Sequence, residues 1–154
     1  MTNKKYPKHG LPPSIFADGF LFRANPSPTG GGYTVVNKQG EVLAREIIEQ
    51  PGLTNNEAEL RGLIRAIELA EKRSSVGTDS RVARAWVCRG RSRARRDLRT
   101  ILKRTRKLLL EKEVEIVFVP RELNPAGILN DRQRPARSAR AEIADWPQGG
   151  ETKP

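Results

Sequence analysis

Apolar positions recur along the chain in two rhythms. Leu60, Leu63, Ile64, Ile67 and Ala70 fall at helical spacing while Arg61, Arg65, Glu68 and Lys72 take the other side, which predicts an amphipathic helix from about Thr54 to Lys72. Leu98, Ile101, Leu102, Thr105 and Leu109 predict a second helix, and Val82, Ala85 and Trp86 a shorter one before it. Elsewhere the apolar runs are short and extended. EVEIVFVP is the clearest strand, YTVVNKQGEVLAREIIE reads as a hairpin turning at Asn37-Lys38-Gln39-Gly40, and SSVGTDS is bounded like a strand. SIFADGFLF is a strand candidate interrupted at Asp18-Gly19, and NPSPTGGG is a loop, because its prolines cannot donate to a ladder. The order is β-β-β-α-β-α-α-β, with room for a short helix from Asn124. That is an α/β layer: a mixed sheet covered by helices.

The ends lack either rhythm. Residues 1–13, MTNKKYPKHGLPP, form a basic arm broken by prolines, and residues 131–154 are rich in Arg, Pro and Gly. Both are expected to be largely disordered. One domain over residues 14–130 remains, and a chain with 36% apolar and 5% aromatic residues agrees with a folded part smaller than the whole.

Charge narrows the function. A net charge of +11 and a pI near 10.5 favour a polyanionic partner, of which nucleic acid is the commonest. The basic residues do not lie opposite a broad Trp/Phe/Leu face, as a membrane-surface helix requires. No apolar stretch approaches a membrane span and no signal-peptide core follows Met1, so a cytoplasmic protein without a membrane partner is expected. The single cysteine, Cys88, excludes an internal disulfide framework and a cysteine zinc site. His9 is the only histidine and sits in the arm, a poor basis for a Ser-His-Asp triad.

Candidate chemistry centres on LTNNEAEL, residues 53–60. Thr54-x-x-Glu57 is a capping box, which assigns Glu57 to the backbone amide at the helix start. Glu59 lies in line with the buried stripe, where a carboxylate needs a cationic partner. Two further acids stand out: Asp18 inside an apolar strand and Asp79 at the end of a short one.

The strings IFADG, NPSPTGGG, TNNEAEL, TDS and FVPRE, in this order, resemble type 1 ribonucleases H over about Ser14 to Leu129. No single string is specific; five in order with matching β and α contexts are. The resemblance implies an RNase H-like fold, a mixed five-stranded sheet with helices on both faces. It also implies a metal-dependent endonuclease that cuts the RNA strand of RNA/DNA hybrids, leaving 5′-phosphate and 3′-hydroxyl ends, as a monomer needing no protein partner. Carried over by position, Asp18, Glu59 and Asp79 become catalytic residues holding two Mg2+ ions, with Mn2+ as a substitute. Two divalent ions about 4 Å apart activate the attacking water and stabilise the leaving oxygen, and carboxylate oxygens suit such hard cations.

The same resemblance implies that Asn25, Asn55, Asn56 and Arg81 read 2′-hydroxyls in the minor groove and that Thr54 holds a DNA-strand phosphate near the helix start. Arg81 stands where Gln is common, which moves its contact toward phosphate. Outside the resemblance, Asn25-Pro26 is an ordinary turn opener, and Asn55 and Asn56 merely suit a helix start.

Three departures matter. RGRSRARRD replaces a longer basic protrusion; its arginines either clamp phosphates or form a solvated charge run. No hybrid-binding domain is expected, since few residues precede Ser14. Ala126-Gly127 falls where the family has Ala-Asp, so the usual fourth carboxylate is missing. Asn124 is a natural N-cap before Pro125 and is also the preferred fourth catalytic and metal-binding residue, with Asp131 as the alternative. Two competing functions follow: a catalytically weak or silent nucleic-acid-binding module, and another nuclease of the same fold such as a resolvase or integrase. The TNN string favours hybrids over the latter.

Overall fold

The computed structural model describes residues 6–133. Its elements are β1 (Ile15–Leu21), β2 (Gly31–Asn37), β3 (Val42–Ile48), α1 (Asn55–Leu69), β4 (Ser75–Thr78), α2 (Arg81–Arg89), α3 (Arg99–Lys112), β5 (Glu115–Phe118) and α4 (Pro125–Arg132), with 3-10 turns at Arg96–Leu98 and Arg121–Leu123. The strands form one mixed sheet in the order β3-β2-β1-β4-β5. β1, β2 and β3 pair antiparallel, whereas β1 with β4 and β4 with β5 pair parallel.

Side-chain alternation decides what each face carries. On β1, Ala17 and Gly19 meet α1, through Gly62 and Ala58 respectively. Asp18 and its β2 neighbour Thr34 therefore face the other way, and there they meet Asn130 of α4. Helices thus lie on both faces of the mixed five-stranded sheet. The main core sits under α1, where Leu60, Leu63 and Ile67 pack with Val35, Val76, Leu102, Leu109 and Ile116.

Several local expectations change. β1 runs unbroken through Asp18-Gly19, because the glycine is a point of close approach rather than a turn. A Cβ at Gly19 would lie 2.5 Å from the Ala58 carbonyl carbon and the Glu59 amide, so only glycine lets α1 settle against the strand. Gly31 and Gly32 belong to β2, not to the preceding loop. α1 ends at Leu69, where Ala70 turns extended, rather than at Lys72. Of the segment assigned to the arm, Tyr6 packs against the core, and the amides of His9 and Gly10 both donate to Glu115 Oε1 at 2.8 Å. At the other end α4 carries the domain past residue 130. The tail expected over 131–154 lies, from residue 134 on, outside the described residues.

Candidate active site

Three elements deliver the acids to one point. Ala17 pairs with Thr78 across the parallel β1–β4 ladder, so the next residues, Asp18 and Asp79, emerge side by side. α1 brings Glu59 alongside, and the Gly19 amide donates to its Oε1 at 3.0 Å. The carboxylate oxygens of Asp18, Glu59 and Asp79 lie within 4.8 Å of one another. Asp18 and Glu59 are buried and Asp79 is partly open.

Such crowding raises the cost of ionisation. Burial, only partly offset by the Arg121 guanidinium and the Asn130 amide, lifts the Asp18 carboxyl from 3.8 to about 6. Burial first, then the charges of Asp18 and Asp79, pushes Glu59 well above its ordinary value. Three oxygen donors converge here at a spacing that suits a hard divalent cation.

Glu57 does not serve as the reciprocal half of a capping box. Thr54 caps the helix by accepting from the Glu57 amide at 3.2 Å, but the Glu57 carboxylate turns sideways to Arg61 and Arg95, each at 2.9 Å. Two guanidiniums offer it more than one backbone amide. Burial opposes ionisation of Glu57, yet the bonds from Arg95 and Arg61 outweigh it and hold the carboxyl below its usual range.

The fourth position also departs from expectation. Asn124 is buried, and its Oδ1 accepts from the Ala126 amide at 3.0 Å, capping α4. Its Nδ2 donates to Ala17 O at 3.0 Å and to Asp79 Oδ2 at 3.2 Å. The group it turns toward the acids is an amide donor, which cannot ligate a cation. The helix cap has taken the oxygen that the ligand role required.

Two residues that sequence reasoning passed over complete the site. Arg121, in the turn after β5, donates through Nη1 to Asp18 Oδ1 and, at 3.3 Å, to Asp79 Oδ2, and through Nη2 to Asp131 Oδ1 at 2.8 Å. Asn130 donates to Asp18 Oδ2 at 2.9 Å and accepts from Thr34 and Arg45. Arg121 lies within the FVPRE string, but only the chain's return past β1 and β4 reveals that it points at acids.

Of the residues expected to meet substrate, Asn25 and Asn55 line the cleft beside this point. The Asn25 side-chain oxygen accepts from the Asn55 amide at 3.0 Å, tying its loop to α1. Asn55 and Asn56 are exposed on the first turn of α1. Gly19, Asn25, Asn55, Glu59, Arg121 and Asp131 all line one cleft of about 530 Å³. Arg81, exposed at the start of α2, stacks its guanidinium 3.8 Å over the Phe118 ring. A second, strongly basic cleft of about 1360 Å³ runs between the 90–95 connector and α3, lined among others by Arg91, Arg93, Arg96, Lys103 and Lys107.

The family model described as reverse transcriptase-like matches residues 16–128. The chain belongs to this family, among the type 1 ribonucleases H. The N-terminal RNase H domain of a Mycobacterium tuberculosis protein, solved as a fusion with maltose-binding protein, is 30% identical over 84% of this chain and 97% of that one, with a TM-score of 0.55. RNase H1 of the halophilic archaeon Halobacterium salinarum is 27% identical, covering 85% and 96%, at 0.52. LC11-RNase H1, solved in complex with an RNA/DNA hybrid, is 26% identical, covering 71% and 86%, at 0.50. No curated protein gives a significant match. Among the described residues of this ribonuclease H relative, no helix is long and apolar enough to cross a membrane.

Proposed function

We propose that the protein is an endonuclease that hydrolyses the RNA strand of RNA/DNA hybrids with divalent metal, leaving 5′-phosphate and 3′-hydroxyl ends, as a cytoplasmic monomer that needs no protein partner. The observation that carries this reading is the meeting of Asp18, Glu59 and Asp79 within 4.8 Å. Their all-carboxylate donor set fits Mg2+, with Mn2+ as a substitute. When bound, such ions supply an activated water and neutralise charge on the leaving oxygen. The chain's own residues hold and orient the acids. Gly19 fixes Glu59, Asn130 fixes Asp18, and Asn124 fixes Asp79.

Substrate binding follows from which polar groups remain uncommitted. Thr54 uses its oxygen as an acceptor for the helix, which leaves the hydroxyl proton to donate to a DNA-strand phosphate beside the helix N-terminus. Asn25 spends its oxygen on Asn55 and keeps its amide hydrogens for the hybrid, while Asn55 and Asn56 present their side chains to ribose 2′-hydroxyls. Arg81, braced by Phe118, approaches a phosphate.

The test is incubation with labelled RNA/DNA hybrid, duplex RNA and duplex DNA, each with Mg2+, Mn2+ or chelator. Metal-dependent cleavage of the hybrid's RNA strand alone supports the reading. Gly127, in place of a fourth acid, favours a second one: a weak or silent hybrid-binding module, which would bind the hybrid in the same experiment and cut nothing.

A further inference from the structure

Arg121 lies among the acids where a cation would be sought. Both Asp18 oxygens are taken, Oδ1 by Arg121 and Oδ2 by Asn130. Asp79 receives Arg121 as well. The carboxylates outweigh the burial that would weaken its charge and keep the guanidinium firmly protonated. A divalent ion reaching Asp18 Oδ1 therefore competes with a charge-assisted bond that the protein already makes.

Gly127 makes room for this arrangement. A Cβ there would stand 3.2 Å from Arg121 Nη1 and 3.3 Å from its Cζ, so even the first atom of a side chain would press on the guanidinium. On the solvent side Nη2 already holds Asp131 at 2.8 Å, and that carboxylate is about half exposed. An arginine that releases Asp18 and Asp79 keeps one partner.

We propose that Arg121 is the resting cation of the acidic site, exchanged for divalent metal, with Asp131 retaining the displaced guanidinium. The inference rests on the metal-binding reading of the three acids. It makes Arg121 the residue that sets how much metal the site requires. Before metal enters, the arginine offsets the repulsion among Asp18, Glu59 and Asp79; once metal enters, it competes.

The test is calorimetric titration of Mn2+ into wild type, Arg121→Gln and Arg121→Lys, with thermal unfolding of each in chelator. Arg121→Gln should bind Mn2+ roughly tenfold or more tightly, the value of one charge-assisted contact, and should melt earlier than wild type in chelator. Arg121→Lys keeps the charge but lacks the guanidinium fork that holds Asp18, Asp79 and Asp131 at once, so it should bind Mn2+ more tightly than wild type and less tightly than Arg121→Gln, and it decides the matter if Arg121→Gln fails to fold. Mn2+ affinity unchanged or weakened in either variant would overturn the proposal. Hybrid cleavage separates the two readings. Equal affinities with cleavage intact remove the exchange alone; Mn2+ binding without cleavage by wild type removes the nuclease alone; no Mn2+ binding by any of the three removes both.

Discussion

Arg95 Nη2 donates to Glu57 Oε1 at 2.9 Å, tying the basic connector to the helix that carries Glu59. The two glutamates, two positions apart, face different partners: Glu59 the acids and the Gly19 amide, Glu57 a pair of arginines.

Exchanging each for glutamine separates these tasks. Glu59→Gln should abolish hybrid cleavage while hybrid binding persists. Glu57→Gln should keep cleavage within a few-fold and lose about 1 kcal/mol of stability, since both arginines are partly exposed and retain other acceptors. Cleavage rates and urea unfolding check both. A dead Glu57→Gln beside an active Glu59→Gln would exchange the roles.

Arg95 is spent on Glu57 and Asp97, whereas Arg93 and Arg96 are exposed along the basic cleft. Replacing Arg93 and Arg96 by alanine should lower the salt slope of hybrid binding by about two, near one per phosphate contact. Arg95→Ala should weaken binding with little change in slope. An unchanged slope in the double variant returns those arginines to the solvated surface.

Asn124 caps α4 and donates to Ala17 and Asp79. Asn124→Ala should therefore cost about 2–3 kcal/mol, the loss of a cap plus an unpaired buried carbonyl. Asn124→Asp keeps the cap but sets a carboxylate against Asp79, so it should melt earlier than wild type in chelator and recover part of the difference with Mn2+. Thermal unfolding with and without Mn2+ reads both. An Asn124→Asp protein more stable than wild type in chelator would refute this geometry.

Acid titration offers a further check. The Asp18 carboxyl is raised from 3.8 to about 6 in the folded protein. The folded state then binds this proton more tightly than the unfolded chain, so metal-free stability declines as pH climbs from about 4 through 6, and the full penalty applies above. A displacement of this size is worth roughly 3 kcal/mol. Denaturation across this range, wild type minus Asp18→Asn, should show a decline of that order; a flat difference would leave Asp18 at an ordinary carboxylate value.

Much of this was legible in the sequence. Helical spacing after Thr54 and the short apolar runs around it dictate the element order, and the strings IFADG, TNNEAEL and TDS mark the three acids that the sheet then brings together. What the sequence conceals is direction. Glu57 fits a capping box, yet whether it turns to an amide or to Arg95 depends on where the connector returns across space. Asn124 fits both a cap and a ligand, and only the fold shows its oxygen turned to the Ala126 amide and its nitrogen to Asp79. Arg121 stands in the FVPRE string without a role that the string assigns; it gains one from facing Asp18 across 103 residues of chain.

The account stands most directly on one comparison: cleavage of a labelled RNA/DNA hybrid by wild type and by Asp18→Asn in Mn2+, with hybrid binding measured alongside. Wild type should cut the RNA strand and Asp18→Asn should bind the hybrid without cutting it. Equal cleavage by both proteins, or none by wild type at any Mg2+ or Mn2+ concentration, would contradict a catalytic centre built on Asp18, Glu59 and Asp79.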